Sequence, residues 1–192
     1  MSLSRRHLLQ TAVAGLAGCS ATPARYFRLA MVPGTVRNTP PQTISVRNIS
    51  IPGYLDQSGI ARASGDYQFS VFANDLWAES FGNMLQAILV QDLAQRLPDA
   101  TVTASLGAVG TPADLRVEID ILRFDPGADG RVVLVAQVAL KSSPGGEFLV
   151  TKTLQSSAMP AGIGAVDTVA VMSTLWGWGA DNIADLIVRS GG

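Results

Sequence analysis

Apolar residues recur along this chain with two different periods, and the periods separate strands from helices. Ile44, Val46, Ile49 and Ile51 alternate with polar neighbours, with one slip in phase, and predict a strand over 44–51. Leu115, Val117, Ile119 and Ile121 alternate with Arg116, Glu118 and Asp120, a strand with one buried and one wet face. Short strands are predicted over 26–29 and 101–104, and a hairpin over 59–63 and 67–71 around the turn signal Ser64-Gly65-Asp66. Two more strands, over 132–140 and 147–156, follow tight links at 125–130 and 144–146, which favours antiparallel neighbours. A spacing of three and four marks the helices. Trp77, Phe81, Leu85, Ile88, Leu89 and Leu93 lie on one face of a helix that Asn74 or Asp75 can cap and Pro98 stops. In a second helix, from about Ala165, Val169, Met172, Trp176, Ala180, Ile183 and Ile187 share one face, and Val171, Leu175 and Trp178 share another. The fold class is α+β: a mostly antiparallel sheet packed against two helices on one face, an α/β sandwich. One helix face packs on the sheet. The second face, with Val171, Leu175 and Trp178, is covered by a loop of the same chain or is a self-association or partner surface.

The first eighteen residues do not fit this domain. Arg5 and Arg6 precede a short apolar run over 8–16, too short to cross a bilayer and ordered as in a secretory signal. Leu16-Ala17-Gly18-Cys19 resembles the lipobox of bacterial lipoproteins. That resemblance implies a diacylglyceryl group on the Cys19 thiol, cleavage before Cys19 and acylation of the new amine. Ser20, where Asp would favour inner-membrane retention, implies the outer membrane. Ser4-Arg5-Arg6-His7-Leu8-Leu9 also resembles a twin-arginine motif, so the general secretory and twin-arginine routes both stay open. The expected organisation is a signal peptide over 1–18, a lipidated Cys19 with a linker to 25, and a single domain over 26–190.

Composition then removes chemistry. The 192 residues carry 14 basic and 15 acidic side chains, and nothing in that balance suggests nucleic acid. Cleavage would take away Arg5, Arg6 and the single His, His7, and lipid would consume the single Cys. No Ser-His-Asp or Cys-His arrangement, no His/Cys zinc set and no disulfide is then possible. Phosphate-loop and dinucleotide fingerprints are absent, and Gly162-Ile163-Gly164 reads as a helix lead-in. Asp114, Glu118 and Asp120 are the candidates for carboxylate catalysis, but they lie on the wet face of one strand and read as solvated. No catalytic residue, metal site or cofactor beyond the acyl chains is expected.

Ile51-Pro52-Gly53-Tyr54-Leu55-Asp56-Gln57 resembles the P-x-Y-L-D-R segment of the PqiC (YmbA-like) ABC-type transport auxiliary lipoproteins. Tyr26-Phe27-Arg28-Leu29, Ile60-Ala61-Arg62, Leu76-Trp77-Ala78-Glu79, Arg123-Phe124 and Asp129-Gly130-Arg131-Val132 are similar to further family segments, in the family's order. Gln57 and Leu76 stand where the family commonly has Arg, and Gln137 is near the place of a usual Trp. The resemblance implies an outer-membrane lipoprotein that docks the MCE-domain protein of an ABC system moving phospholipid or other hydrophobic molecules between membranes. A direct lipid carrier is the alternative. Pro52, Tyr54, Leu55, Asp56 and Trp77 carry over as a contact motif or as a structural one. A turn fits Asp56, and a core anchor fits Trp77 better than a ligand platform.

Overall fold

The computed structural model describes residues 22–40, 42–105, 112–143 and 145–190. Two sheets and two helices make up the domain. The larger sheet has the order β5-β2-β6-β7-β8, from Thr101–Ala104 (β5), Thr43–Val46 (β2), Leu115–Pro126 (β6), Val132–Ser142 (β7) and Phe148–Ala158 (β8). The smaller has the order β1-β4-β3, from Arg25–Phe27 (β1), Gln68–Trp77 (β4) and Gly59–Gly65 (β3). The meander β6-β7-β8 and the hairpin β3-β4 are antiparallel, as the short links require. The parallel pairs are β2 with β5 and β6, and β1 with β4. They join strands far apart in sequence, which local periodicity does not register. The phase slip in 44–51 is a break in the strand: β2 ends at Val46, and the chain rejoins β6 through one bridge, Ser50 to Asp120.

The helices α1 (Phe81–Arg96) and α2 (Ala165–Ser190) pack on each other and on one face of the larger sheet, α1 over β2 and β5, α2 over β7 and β8. The inward residues of β6 and β7, from Leu115 to Leu140, fill the space between. Among the described residues no helix is long and apolar enough to cross a membrane.

The first helix begins later than its stripe suggests. Trp77 lies on β4, not on α1, and Asn74 and Asp75 do not cap the helix. The Asp75 carboxylate is held by the Arg25 guanidinium through bonds of 2.7 and 2.8 Å, which fasten β1 to β4. Asn74 has φ +59° in an irregular stretch of β4, a conformation Asn tolerates better than most residues. The Trp77 and Ala78 N–H groups donate to Ser58 and Phe27 carbonyls, keeping the backbone extended. Ser80 is the cap, its hydroxyl accepting from the Asn83 N–H. Trp77 still joins the core. It stacks on Phe81 at 4.9 Å, Phe81 meets Phe124 at 5.8 Å, and Phe124 meets Trp176 at 6.0 Å. This row runs from the small sheet through α1 and β6 to α2.

A buried ion cluster locks the helices to the segment before β2. Arg96, in the last turn of α1, is fully buried. It donates to Asp181 of α2 at 2.9 Å, to the Val32 and Gly177 carbonyls at 3.0 Å each, and to the Asp92 carbonyl at 3.1 Å. Arg37 bridges Asp181 and Asp185 from outside. The approach is close enough that a Cβ at Gly34 would run into the Arg96 guanidinium, and one at Gly177 would meet the Val32 side chain at 2.8 Å. The partners are unequally served. Partial burial would raise the Asp181 carboxyl, but Arg96 and Arg37 more than offset this and hold it below the usual range. Asp92 is fully buried and its Oδ2 has no hydrogen-bond partner. Burial pushes its carboxyl from 3.8 to about 6, against the opposing charge of Arg96.

The sign of the resulting pH dependence is fixed by the raised folded-state value. Between 3.8 and about 6 the native state holds the Asp92 proton more tightly than the unfolded chain does. Stability therefore falls as pH rises through that window, and the full cost, about 3 kcal/mol, stands above it. Arg96, Asp181 and the Val32 N–H act on the group, and the lowered Asp181 withdraws its own contribution only below the window. Asp92→Asn should flatten the wild-type decline in stability between pH 4 and 6.5, checked by denaturant unfolding across that range. An unchanged slope would refute the assignment to Asp92.

Candidate functional site

The segment after β2 forms a turn held by its own backbone. The Leu55 N–H donates to the Pro52 carbonyl at 2.9 Å and the Asp56 N–H to the Gly53 carbonyl at 3.2 Å. The Gln57 amide donates to the Tyr54 carbonyl at 2.7 Å. This turn divides the motif. Leu55 enters the core, Tyr54 lies half-buried, and Asp56 points to solvent.

Tyr54 clasps the two sheets together. Its ring stacks on Phe69 of β4 at 4.4 Å, and its hydroxyl donates to Asp125 of β6 at 2.7 Å. Arg123 donates to the same carboxylate oxygen at 3.3 Å. Burial, and then the Asp125 carboxylate, push the Tyr54 hydroxyl far up, so it remains a protonated donor at any ordinary pH. Between the β3-β4 hairpin and the β6-β7 hairpin the clasp leaves a groove of about 640 Å³. Phe69 and Leu122 are among its apolar lining residues, and Arg123, Asp125, Asp129 and Arg131 bring charge. The arrangement offers hydrogen bonds and ion pairs to an occupant. Among the described residues no three His, Cys, Asp or Glu side chains gather as metal ligands.

The other expected residues fall in different places. Cys19 lies outside the described residues. Trp77 is buried in the aromatic row. Val171, Leu175 and Trp178 do not make an exposed patch: Leu175 is 4% exposed within the core, and Val171 and Trp178 are partly buried against it. The segment before β2 meets a different side of α2, with Val32 set against Gly177. Of the three acids expected on one strand, Asp114 lies just before β6 and only Glu118 and Asp120 are on it, and their roles differ. Asp114 accepts the Thr43 N–H, Glu118 pairs with Lys141 at 2.7 Å, and Asp120 is exposed. Phe69, Asp125 and the Arg96 cluster were not legible as site or anchor residues. Asp92 and Arg96 carried the one available signal, an acid and a base four apart on a helix.

Comparison with known proteins places this geometry. Two solved structures share the fold, each with a TM-score of 0.73. One is an uncharacterized protein, 22% identical, covering 86% of this chain and 99% of its own. The other is XCC0632 from Xanthomonas campestris, 14% identical, covering 87% and 96%. Both are fold neighbours only at that identity. The model of the ABC-type transport auxiliary lipoprotein component family matches residues 27–184, so the chain belongs to that family. It is similar to the intermembrane transport lipoprotein PqiC of Escherichia coli (strain K12), 25% identical over 96% of this chain and 98% of that one, and equally to PqiC of Shigella flexneri.

If Tyr54 is a clasp, its hydroxyl has a measurable value. Tyr54→Phe keeps the stacking on Phe69 but strips Asp125 of one donor, and should cost about 1–3 kcal/mol, the range for a hydrogen bond to a charged group. Asp125→Asn should lose less in the Tyr54→Phe background than alone, as a double-mutant cycle by chemical denaturation would report.

Proposed function

We propose that this protein is an outer-membrane lipoprotein, anchored through Cys19, that docks the MCE-domain protein of an ABC system transporting phospholipid or other hydrophobic molecules between membranes. The observation that carries the reading is the nearly coextensive match to an intermembrane transport lipoprotein. The Leu16-Ala17-Gly18-Cys19 sequence supports the anchor. Each buried CH₂ of an acyl chain contributes about 0.8 kcal/mol, and two or more chains make attachment stable without a membrane-crossing helix. The Tyr54 groove supports docking over direct lipid carriage. Its complement of Arg123, Asp125, Asp129 and Arg131 suits a polar protein segment, whereas an acyl chain would shut those charges off from water. Asp56, exposed on the rigid turn beside that groove, is the motif residue free to meet such a segment. Tyr54, Leu55 and Trp77 act through the fold.

Cys19→Ser should abolish incorporation of labelled palmitate into the protein in its host; labelling that persists in the variant would sink the anchor. Asp56→Lys should leave the thermal midpoint within a degree or two, the usual scale for surface substitutions, yet reduce capture of the MCE-domain protein from detergent-extracted membranes, identified by mass spectrometry. Equal capture by both forms would remove Asp56 from the interface.

A further inference from the structure

The described chain fixes the direction in which the anchor leaves the domain. β1 runs parallel to β4, with Arg25 opposite Asp75 and Phe27 opposite Trp77. β4 starts at the tip of the β3-β4 hairpin, so the chain before Arg25 heads toward that tip. Arg25 lies six positions after Cys19, a reach of at most about 21 Å. Asp75 lies eight positions after Tyr67 at the tip, about 27 Å of strand. A bilayer holding Cys19 therefore lies within reach of the hairpin tip.

That end of the molecule carries exposed apolar side chains. Tyr67 is 97% exposed and Phe69 more than half. The β3-β4 tip borders the β6-β7 turn, since Gly65, Asp66 and Gln68 line the same groove as Gly127, Ala128 and Asp129. Val132, just after that turn, pairs with Ala158, the last residue of β8, so the β8–α2 connection lies at this end too. It presents Met159, Val166 and Ile163, the last 96% exposed. Tyr suits a membrane interface, with its ring toward the acyl chains and its hydroxyl toward water. Asp66, Asp125, Asp129 and Asp167 lie toward this end with Arg62, Arg123 and Arg131, which leaves no basic excess to draw anionic lipid.

We propose that this end, led by Tyr67 and Ile163, rests in the headgroup region of the bilayer that holds Cys19, and so fixes which way the domain faces. The contact rests on the anchoring of Cys19 proposed above and adds an orientation to it. The far end of the larger sheet then points away from that membrane. Phe148, beside the β7-β8 turn there, lies under the Lys141 ammonium at 4.2 Å.

The test uses the full-length protein processed in its host and reconstituted into zwitterionic phosphatidylcholine–phosphatidylethanolamine vesicles, with and without brominated acyl chains, which quench nearby tryptophan. The Tyr67→Trp variant should lose emission in brominated vesicles beyond the parent, whose three tryptophans give the background. Phe148→Trp, at the opposite end, should lose none beyond the parent. Both positions are exposed, so folding survives the changes. An intact-mass measurement on the same sample separates the two ideas. Acylated Cys19 with an unquenched Tyr67→Trp variant, or equal quenching of both variants, overturns the contact alone. Unmodified Cys19 overturns the anchor, and the contact with it.

Discussion

The row of rings from Trp77 through Phe81 and Phe124 to Trp176 is the constraint on which the other elements depend. Each ring comes from a different layer: the small sheet, α1, the larger sheet and α2. None of these layers has a second face apolar enough to stand alone. The small sheet is the clearest case, because three strands with an exposed hairpin bury little by themselves. Trp77 ties that sheet to the body, and Trp176 completes the contact by donating its indole N–H to the Leu85 carbonyl at 3.1 Å. With the row in place, the positions of β3 and β4 against β6 are set, and so is the groove at Tyr54.

Seen this way, the residues shared with the family divide by role. Leu55 and Trp77 fill the core, and Tyr54 joins the sheets through a hydroxyl whose acceptor, Asp125, lies on another strand. Of the carried-over turn residues Pro52, Tyr54, Leu55 and Asp56, Asp56 is the exposed one. Of the two readings, contact and structural, the structural one accounts for most of the motif, which places one side chain and one groove. The division has a physical basis: consecutive residues in a tight turn cannot all point the same way.

The sequence made the meander, the hairpin and the second helix readable because each rests on local spacing. β6 and β7 alternate over most of their length, β8 follows a tight link, and α2 begins at Ala165 where its stripe begins. The misread start of α1 came from a real ambiguity. Trp77 and Phe81 are four apart, as in a helix, but they stack across the strand-to-helix junction. The helix face bearing Val171, Leu175 and Trp178 was legible as apolar, but its partial burial against the core was not, because that depends on packing between elements distant in sequence. The ion cluster was half legible: Asp92 and Arg96 are neighbours on one helix, whereas Asp181 joins them from 85 residues away. The groove at Tyr54 was hidden for the same reason, its walls being two hairpins distant in sequence.

The salt links of Arg37 with Asp181 and Asp185 close the chain over 144 and 148 residues. Few loops in the molecule are longer, and closing one is slow and entropically costly. The earlier segment therefore waits for the later one before either is locked. Until the second helix has been synthesised, Arg96 and Arg37 lack their carboxylate partner on it and the two sheets lack Trp176. A nascent chain of this design stays open behind the ribosome until that helix has emerged.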